Sequence, residues 1–283
     1  MKYIMPGILK FGNELNSRSS IGHVMYNVLS ALLLAEYCNC TFLHEPFECD
    51  SKRFENIFNL TVLYNTISTK ENLTIIPAPN LNFAHNPNTC TDEQGYFNVQ
   101  QFYNLVTSQP DNTIMQLQVG KQFPGILIER SEYLCEILQK CYWSNKTPYQ
   151  FGKKSIAIHI RRGDIHSIKN HDRWKPNSHY RTIIDKIKKK YTDIEVYIIS
   201  EGNPDDFIEF QSDCKLVLNG SDIDALHMLA SADILVTGQS TYSTILSYIN
   251  KGIIIYTPCL NFTRFEKFKH PRFIHYKNIE TQL

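Results

Sequence analysis

The sequence predicts an α/β protein whose second half is a doubly wound parallel sheet with helices on both faces. Five short and almost continuously apolar runs predict the strands of that sheet: SIAIHI (155–160), IEVYIIS (194–200), CKLVLN (214–219), DILVTG (233–238) and GIIIYT (252–257). Helix-like or loop-like stretches separate the runs, as crossover connections between parallel strands require. In the first half, helical apolar spacing over 21–37 followed by the strand-like CTFLHEPF (40–47) also indicates α/β layering.

Length and changes of composition along the chain indicate two domains. A chain of 283 residues is long for a single core and fits either two domains of ordinary size or one large α/β unit, of which we prefer the former. Segment 59–100 is rich in Asn, Thr and Pro, which predicts a long irregular connection, whereas 126–142 resumes a helical pattern and 145–154 is typical of a linker. The predicted divisions are a first α/β domain over 1–150, a second over 151–270 and a C-terminal tail over 271–283.

Net charge argues against binding to nucleic acid or to an anionic membrane. Lys and Arg total 29 against 28 Asp and Glu, so no global field attracts a polyanion. The basic run at 186–190 lies in RTIIDKIKKKYTD, where Ile183, Ile184 and Ile187 have helical spacing. We interpret these lysines as the solvated C-terminal face of a helix, where they suit the dipole.

The apolar segments and the cysteines indicate which cellular compartment to expect for the protein. The N-terminus has no long apolar stretch, and VMYNVLSALLLA (24–35) is too short, and too interrupted by Asn27 and Ser30, to span a bilayer. The eight cysteines form no CxxC pair at zinc spacing. We therefore expect a soluble, cytoplasmic protein with buried thiols and no metal.

Polar side chains follow the first predicted strand of the second half. Ligands of doubly wound sheets bind beyond the carboxyl ends of the strands, so the ends of 155–160, 194–200 and 233–238 should surround one crevice. Strand alternation places His159 and Arg161 on one face and Arg162 on the other. A buried guanidinium requires an anion, which is either Asp164, in an internal ion pair, or a ligand. The tripeptide at 162–164 also matches an adhesion signature, but the preceding strand is expected to be buried.

Hydroxyl groups follow the strand 233–238. The stretch TGQSTYSTILSYI (237–249) brings Gly238 and five hydroxyl-bearing residues to the start of a predicted helix: Thr237, Ser240, Thr241, Ser243 and Thr244. Backbone N–H groups and the positive end of the helix dipole attract anions there, so the stretch predicts a phosphate cradle. The alternative is a simple N-cap formed by Ser240 or Thr241, which needs no ligand.

Together these stretches resemble a known family. HIRRGD (159–164) resembles the HxRRxD motif of the fucosyltransferase superfamily that contains the alpha-1,2- and alpha-1,6-fucosyltransferases and the protein O-fucosyltransferases. Residues 222–249 are similar to the superfamily's later motif, and IEVYIISEG (194–202) stands at its middle motif, with Glu201 where aspartate is commoner. The first 50 residues are similar to its glycine-asparagine loop and first helix, although NELNSRSS intervenes.

The resemblance implies a GT-B-like fold, with two Rossmann-like domains and a donor cleft between them. The first domain would lie on the acceptor side and the second would bind the nucleotide sugar. The implied activity is inverting, metal-independent transfer of fucose, or a related small sugar such as xylose, from GDP-fucose or UDP-xylose to a hydroxyl of a glycan. The lack of a membrane anchor fits bacterial or large-DNA-virus members.

The resemblance also implies site residues. Arg161 would contact the β-phosphate, and Asp164 would orient it or touch the sugar. The donor site would comprise His159, Arg161, Ser200, Glu201, Asp222, Gly238, Ser240, Thr241 and Tyr242. Asp222 and Asp224 could also suggest a metal-binding DxD motif, but they open a helical pattern and fit first-turn acids better.

Inversion requires a base that accepts the acceptor hydroxyl's proton. The candidates are His23, Glu14, His44, Glu45 and Asp164, and nothing in the sequence selects one of them. Two other functions stay open. One is a non-catalytic nucleotide- or carbohydrate-binding protein on the same scaffold, and the other is a phosphate-binding interaction protein unrelated to sugars.

Overall fold

The computed structural model describes residues 1–6, 21–44, 56–60, 74–77, 98–117, 131–165, 173–257 and 270–283. Within these ranges it leaves undescribed the side chains of residues 21, 23, 24, 26, 27, 76, 77, 131 and 164. The chain divides into two compact units, Met1–Ser144 and Asn145–Leu283. Each unit contains an all-parallel sheet, so the predicted α/β class is confirmed.

The first unit contains a four-stranded parallel sheet in the order β2-β1-β4-β3. Its described elements are β1 (Tyr3–Pro6), α1 (Ile21–Tyr37), β2 (Thr41–Phe42), β3 (Thr74–Pro77), α2 (Val99–Ser108), β4 (Thr113–Leu117) and α3 (Ser131–Trp143). Helix α1 and the strand after it are confirmed, and α3 confirms the helix predicted over 126–142. Much of the irregular connection predicted over 59–100 lies outside the described residues, but β3 falls within it, so the prediction is wrong at 74–77, where the chain pairs with β4.

One face of this sheet is buried beneath α1 and α2. Ala31 and Leu34 of α1 and Phe102 of α2 pack with Ile4 and Met115 of the central strands. All five side chains are essentially inaccessible to water. At roughly 25 cal/mol per Å² of apolar surface, this burial is the main stabilising contribution within the unit.

The second unit contains a six-stranded parallel sheet. Its elements are β5 (Lys154–Ile160), α4 (Asn177–Lys188), β6 (Ile194–Ser200), β7 (Lys215–Leu218), α5 (Asp222–Ser231), β8 (Ile234–Val236), α6 (Thr241–Ile249), β9 (Ile253–Tyr256), β10 (Phe273–His275) and α7 (Ile279–Gln282). Short 3₁₀ turns occupy Gly163–Ile165, Pro204–Phe210 and Tyr276–Asn278. All five strands predicted from apolar runs are therefore present.

Strand order fixes where a ligand can meet the second sheet. The order β10-β9-β8-β5-β6-β7 places β5 at the centre, with β6 on one side and β8 on the other. The chain first winds outward through β6 and β7, then returns beside β5 and winds the opposite way. In open parallel sheets this reversal opens a crevice at the carboxyl ends of the two central strands, here β5 and β8.

The C-terminal segment expected as a tail belongs to this sheet. Residues Phe273–His275 pair in parallel with Ile254–Tyr256 and form the edge strand β10. Phe273 and Ile274 are buried, and Ile279 of α7 joins the core that α4 forms with the sheet. The contact is apolar, so the last residues of the chain are held by the same force as the rest of the unit.

Helix α4 carries the basic run of the sequence. The helix ends at Lys188, and Ile183, Ile184 and Ile187 are buried against the sheet as their spacing predicts. Lys188 and Arg181 of the same helix pair with Asp213, and Lys189 and Lys190 are exposed.

In the described parts of the chain, no helix has both the length and the apolar character required to cross a membrane.

Candidate functional site

The two arginines that end β5 lie in different environments. Side chains alternate along β5, and Ile156, Ile158 and Ile160 face the core beneath α4. Arg162 continues this face and is only 5% exposed. Arg161 continues the opposite face, with His159, and is partly exposed. The predicted alternation therefore separates one internal cation from one that solvent reaches.

Arg162 is held entirely by groups of this chain. Its Nη2 donates to Oδ1 of Asn177 at 2.7 Å, and its Nη1 donates to the carbonyl oxygen of Arg161 at 2.9 Å. The guanidinium also lies over the rings of Trp174 and Phe207, at 5.1 and 6.0 Å from their centroids. Burial lowers the pKa of Arg162, while the nearby Asp206 opposes that effect. We assign Arg162 to the support of the strand end. Because its side chain is buried, the tripeptide at 162–164 does not present this arginine as an adhesion signature would.

His159 connects β5 to the start of α6. Its Nδ1 is hydrogen-bonded to Oγ of Ser243, and its ring meets the ring of Tyr242 edge-on at 5.1 Å. Burial, and then the charge of Arg161, lower the pKa of His159 to about 3. The imidazole is therefore neutral at physiological pH, and Arg161 supplies the positive charge on this face of the strand end.

Gly238 allows the two strand ends to approach each other. A Cβ at this position would lie 2.5 Å from the carbonyl oxygen of His159 and 2.9 Å from its Nδ1. Since β5 and β8 are directly paired, with Ile158 opposite Val236, the backbone after β8 passes immediately over the end of β5. Only glycine fits this approach.

Helix α6 begins with a buried cap. Ser240 is 2% exposed, and its Oγ accepts the N–H of Ser243 at 3.1 Å. Thr241 and Tyr242 are the first two helical residues and are partly exposed. The predicted N-cap is thus present, and the first-turn N–H groups and the positive end of the dipole lie beside the end of β5. An N-cap and an anion site are compatible, because one side chain satisfies only one of the N–H groups.

The end of β6 forms the other side of this region. Ser200 is buried, and its hydroxyl donates to the carbonyl oxygen of Ile160 at 2.8 Å, which ties β6 to β5. The carboxylate of Glu201, an exposed residue, occupies the space into which a Cβ of Gly163 would project. Gly163 has φ +48°, so a side chain there would be strained as well as crowded. The hydroxyl of Ser200 is thus used within the sheet, and Glu201 borders the turn that follows Arg162.

Asp222 lies at the start of α5 and reaches the same region through its backbone. Ser221 caps α5 by accepting from the N–H groups of Ile223 and Asp224, so the two aspartates are exposed first-turn acids. The hydroxyl of Tyr242 donates to the carbonyl oxygen of Asp222 at 3.2 Å, which joins the starts of α5 and α6.

Throughout the described residues, no three His, Cys, Asp or Glu side chains are grouped as metal ligands would be.

The base candidates are distributed over the chain. His44 is 4% exposed and stacks on Phe42, with ring centroids 6.4 Å apart, so it is a core residue of the first unit. The backbones of His23, in α1, and Asp164, in the turn after β5, are described, but their side chains are not. Glu14 and Glu45 lie outside the described residues.

The structure brings His159, Arg161, Gly238, Ser240, Thr241 and Tyr242 together at adjacent strand ends. The sequence places Ser243 among several hydroxyls at the start of α6 but does not indicate its partner. Its contact with His159 joins residues 84 positions apart. The available signal was the spacing of Ser240 and Ser243, which places the second serine where the first can cap its N–H.

Comparisons with known proteins give likenesses of structure. No protein-family model and no curated protein matches this sequence. POFUT1 in complex with GDP-fucose superimposes with a TM-score of 0.49 at 11% identity, covering 89% of this chain and 94% of that one. The E. coli heptosyltransferase WaaC with ADP-2-deoxy-2-fluoro heptose gives 0.42 at 10%, covering 90% and 88%. UDP-GlcNAc 2-epimerase from Neisseria meningitidis, bound to UDP-GlcNAc, gives 0.36 at 12%, covering 95% and 73%.

Proposed function

We propose that this protein is an inverting, metal-independent glycosyltransferase that moves fucose, or a related small sugar such as xylose, from a nucleotide diphosphate sugar to a hydroxyl of a glycan. GDP-fucose and UDP-xylose are the candidate donors. One observation carries the proposal: a partly exposed arginine, Arg161, follows the end of β5, where His159 contacts the first turn of α6, at the reversal point of a doubly wound sheet.

The chemistry of transfer explains why these two features belong together. The acceptor oxygen attacks the anomeric carbon, and the bond from that carbon to the β-phosphate oxygen breaks. The electron pair remains on the phosphate, so negative charge on the diphosphate grows as the bond lengthens. A fixed guanidinium and a helix N-terminus stabilise that charge more in the transition state than in the bound donor.

Arg161 suits this part better than a titratable cation would. A guanidinium keeps its charge over the whole physiological range, and its planar fork matches phosphate oxygens. Arg162 supports the same strand end from behind, through its bonds to Asn177 and to the carbonyl oxygen of Arg161. Within this proposal, Thr241 and Tyr242 line the diphosphate and nucleoside, and Asp222 lies toward the nucleoside.

Attack by a hydroxyl also requires a proton acceptor. The proton leaves the acceptor oxygen as the new bond to the anomeric carbon forms. Asp164, His23 and Glu45 are the proposed candidates. His44 is the least suitable, because it is buried in the first unit.

Titration calorimetry tests the donor site directly. GDP, GDP-fucose, UDP and UDP-xylose are titrated separately into the folded protein and into the Arg161→Ala variant. We expect one nucleotide family to bind the wild type and to bind the variant much more weakly. Failure of all four to bind folded wild-type protein would remove the proposal.

A non-catalytic binder on the same scaffold is the second candidate. It is favoured by the burial of His44, the one base candidate whose side-chain burial the structure describes. Incubation of a bound donor without acceptor separates the two, because slow release of free sugar requires the machinery that breaks the anomeric bond. Binding without any release of sugar, even with glycan acceptors present, would favour the binder.

A further inference from the structure

Ser243 lies at the centre of a chain of three hydrogen-bonding groups. It is completely buried, and its Oγ is hydrogen-bonded to Nδ1 of His159 on one side. On the other side, its Oγ lies 3.2 Å from Oγ of Ser240. Ser240 is also buried, and its Oγ accepts the backbone N–H of Ser243. This series of hydrogen bonds therefore runs from a helix cap to a histidine at the candidate donor site.

Counting protons along this series of hydrogen bonds shows which arrangement gives both buried hydroxyl protons an acceptor. Each hydroxyl has one proton to donate, and a neutral imidazole carries a proton on one nitrogen only. If Ser240 donates to Ser243, then Ser243 donates to Nδ1 of His159. Both buried hydroxyl protons then have acceptors, and the proton of the imidazole is on Nε2, which faces away from these serines.

The opposite direction leaves one donor without an acceptor. If Nδ1 carried the proton, it would donate to Ser243, and Ser243 would donate to Ser240. The hydroxyl proton of Ser240 would then need another acceptor, and none contacts it in the part of the chain that the structure describes. A buried hydroxyl without an acceptor costs free energy, so the first direction is favoured.

A doubly protonated ring does not fit this environment either. It would carry a second positive charge beside Arg161, and it would reduce Ser243 to an acceptor. Burial and the charge of Arg161 already lower the pKa of His159 to about 3. The ring is thus neutral, and the hydroxyl chain decides which nitrogen holds its proton.

We propose that Ser243, itself held by Ser240, fixes His159 as the tautomer protonated on Nε2, and that this N–H donates to an anionic oxygen of the bound diphosphate beside Arg161. Among the described residues Nε2 has no hydrogen-bond partner, and His159 is partly exposed as a residue. The identity of the anion rests on the proposed function, whereas the tautomer does not. His159 is thereby a ligand-contacting donor, and Ser243 is the residue that positions its proton.

Nitrogen NMR of the free protein tests the tautomer without any ligand. Protein labelled with ¹⁵N-histidine is compared with its His159→Gln variant, so that the signals of His159 are assigned by their absence. We expect a protonated Nε2 and an unprotonated Nδ1 that do not change between about pH 5 and pH 8. A protonated Nδ1, or titration of the ring in this interval, would overturn the inference.

Binding of inorganic pyrophosphate tests the donor role without base or sugar. Ser243→Ala should weaken binding by about 3- to 10-fold, the effect of one neutral hydrogen bond. Ser247→Ala is the matched control, because Ser247 is buried one turn further along α6 and its hydroxyl donates to the carbonyl oxygen of Thr244. Equal affinity of the two folded variants would refute the role of Ser243.

If Ser243→Ala folds poorly, substitutions of His159 test the same donor role. Gln places a donor near the position of Nε2, whereas Asn reaches only the position of Nδ1, so His159→Gln should bind pyrophosphate more tightly than His159→Asn. The reverse order would contradict a donor at Nε2. A wild type that binds neither pyrophosphate nor any nucleotide diphosphate would overturn the proposed function, and the NMR measurement would still decide the tautomer.

Discussion

Gly238 lies so close to His159 that a Cβ at this glycine would come within 2.5 Å of the carbonyl oxygen of His159. The obstructing atom belongs to the backbone of the central strand β5, so it does not yield as a flexible side chain would. The loop after β8 and the end of β5 therefore form one rigid edge. The relative positions of Arg161 and the start of α6 depend on that contact.

We predict that Gly238→Ala forces the loop away from β5. The expected cost is about 1–3 kcal/mol in the free energy of unfolding, the usual effect of inserting a methyl group into a packed site. Affinity for the nucleotide diphosphate should fall as well, because the helix N-terminus moves away from Arg161. Denaturant unfolding and calorimetry measure the two effects.

Gly220→Ala is the matched control for this substitution. A Cβ at Gly220 would meet its nearest neighbour, Cγ1 of Val217, at 3.9 Å, which is ordinary van der Waals contact. We expect it to change neither stability nor affinity appreciably. If Gly238→Ala behaved like Gly220→Ala, the close approach would not constrain the site.

Arg161 and Arg162 should respond to truncation in opposite ways. Arg161→Ala should leave the unfolding midpoint nearly unchanged and weaken nucleotide diphosphate binding about 10- to 100-fold, the value of a charge-assisted hydrogen bond. Arg162→Ala should lower the free energy of unfolding by about 1–3 kcal/mol, because it leaves Oδ1 of Asn177 and the carbonyl oxygen of Arg161 without their donor. Parallel thermal unfolding and calorimetry distinguish the two patterns, and an exchange of the two patterns would reverse the assignment.

Ser240 and Ser221 offer a comparison of two helix caps. Each accepts backbone N–H groups at the start of its helix, and each substitution to Ala should cost about 1 kcal/mol in stability. Ser240→Ala should in addition weaken diphosphate binding, because it also removes the hydroxyl that donates to Ser243. Denaturant unfolding gives the shared effect, and calorimetry gives the difference. Equal affinity of the two variants would limit Ser240 to capping.

Much of the second unit could be predicted because its strands are buried on both faces. Runs such as 155–160 and 194–200 then become continuously apolar and stand out from their surroundings. The strands that were missed lack this signal. β1 and β3 end in Pro6 and Pro77, β4 contains Gln116, and β10 is only three residues long. Their assignment depends on pairing with distant strands, which local pattern does not report.

The candidate site was likewise predicted where local pattern determines it and missed where distant segments meet. Alternation along β5 correctly separated Arg161 from Arg162, because the pleat of a strand fixes which side chains share a face. The contact of Ser243 with His159 and the approach of Gly238 could not be predicted, because each depends on how the loop after β8 lies over β5. The roles given to Asp164, His23 and Glu45 stay predictions.

The ion pairs around Asp213 predict how stability changes in acid. Its carboxylate accepts from Nη1 and Nη2 of Arg181, at 2.6 and 2.8 Å, and from Nζ of Lys188 at 2.6 Å. These hydrogen bonds, that of Arg181 first, hold the pKa of Asp213 well below its ordinary value. A carboxyl whose pKa is depressed by folding stabilises the protein above its unfolded pKa, near 3.9, and loses that contribution as the pH falls toward the folded value.

Asp213→Asn should therefore lower the free energy of unfolding by about 1 kcal/mol at neutral pH, since the pairs are partly exposed. The difference from wild type should shrink as the pH falls below about 4, because the wild-type carboxyl is then progressively protonated. Urea unfolding from about pH 7 down to about pH 2 measures this convergence. Glu209→Gln, which neutralises an exposed carboxylate, is the control and should give a smaller difference at neutral pH. A deficit in Asp213→Asn that stayed constant across this range would show that the side chain stabilises α4 by packing and not by charge.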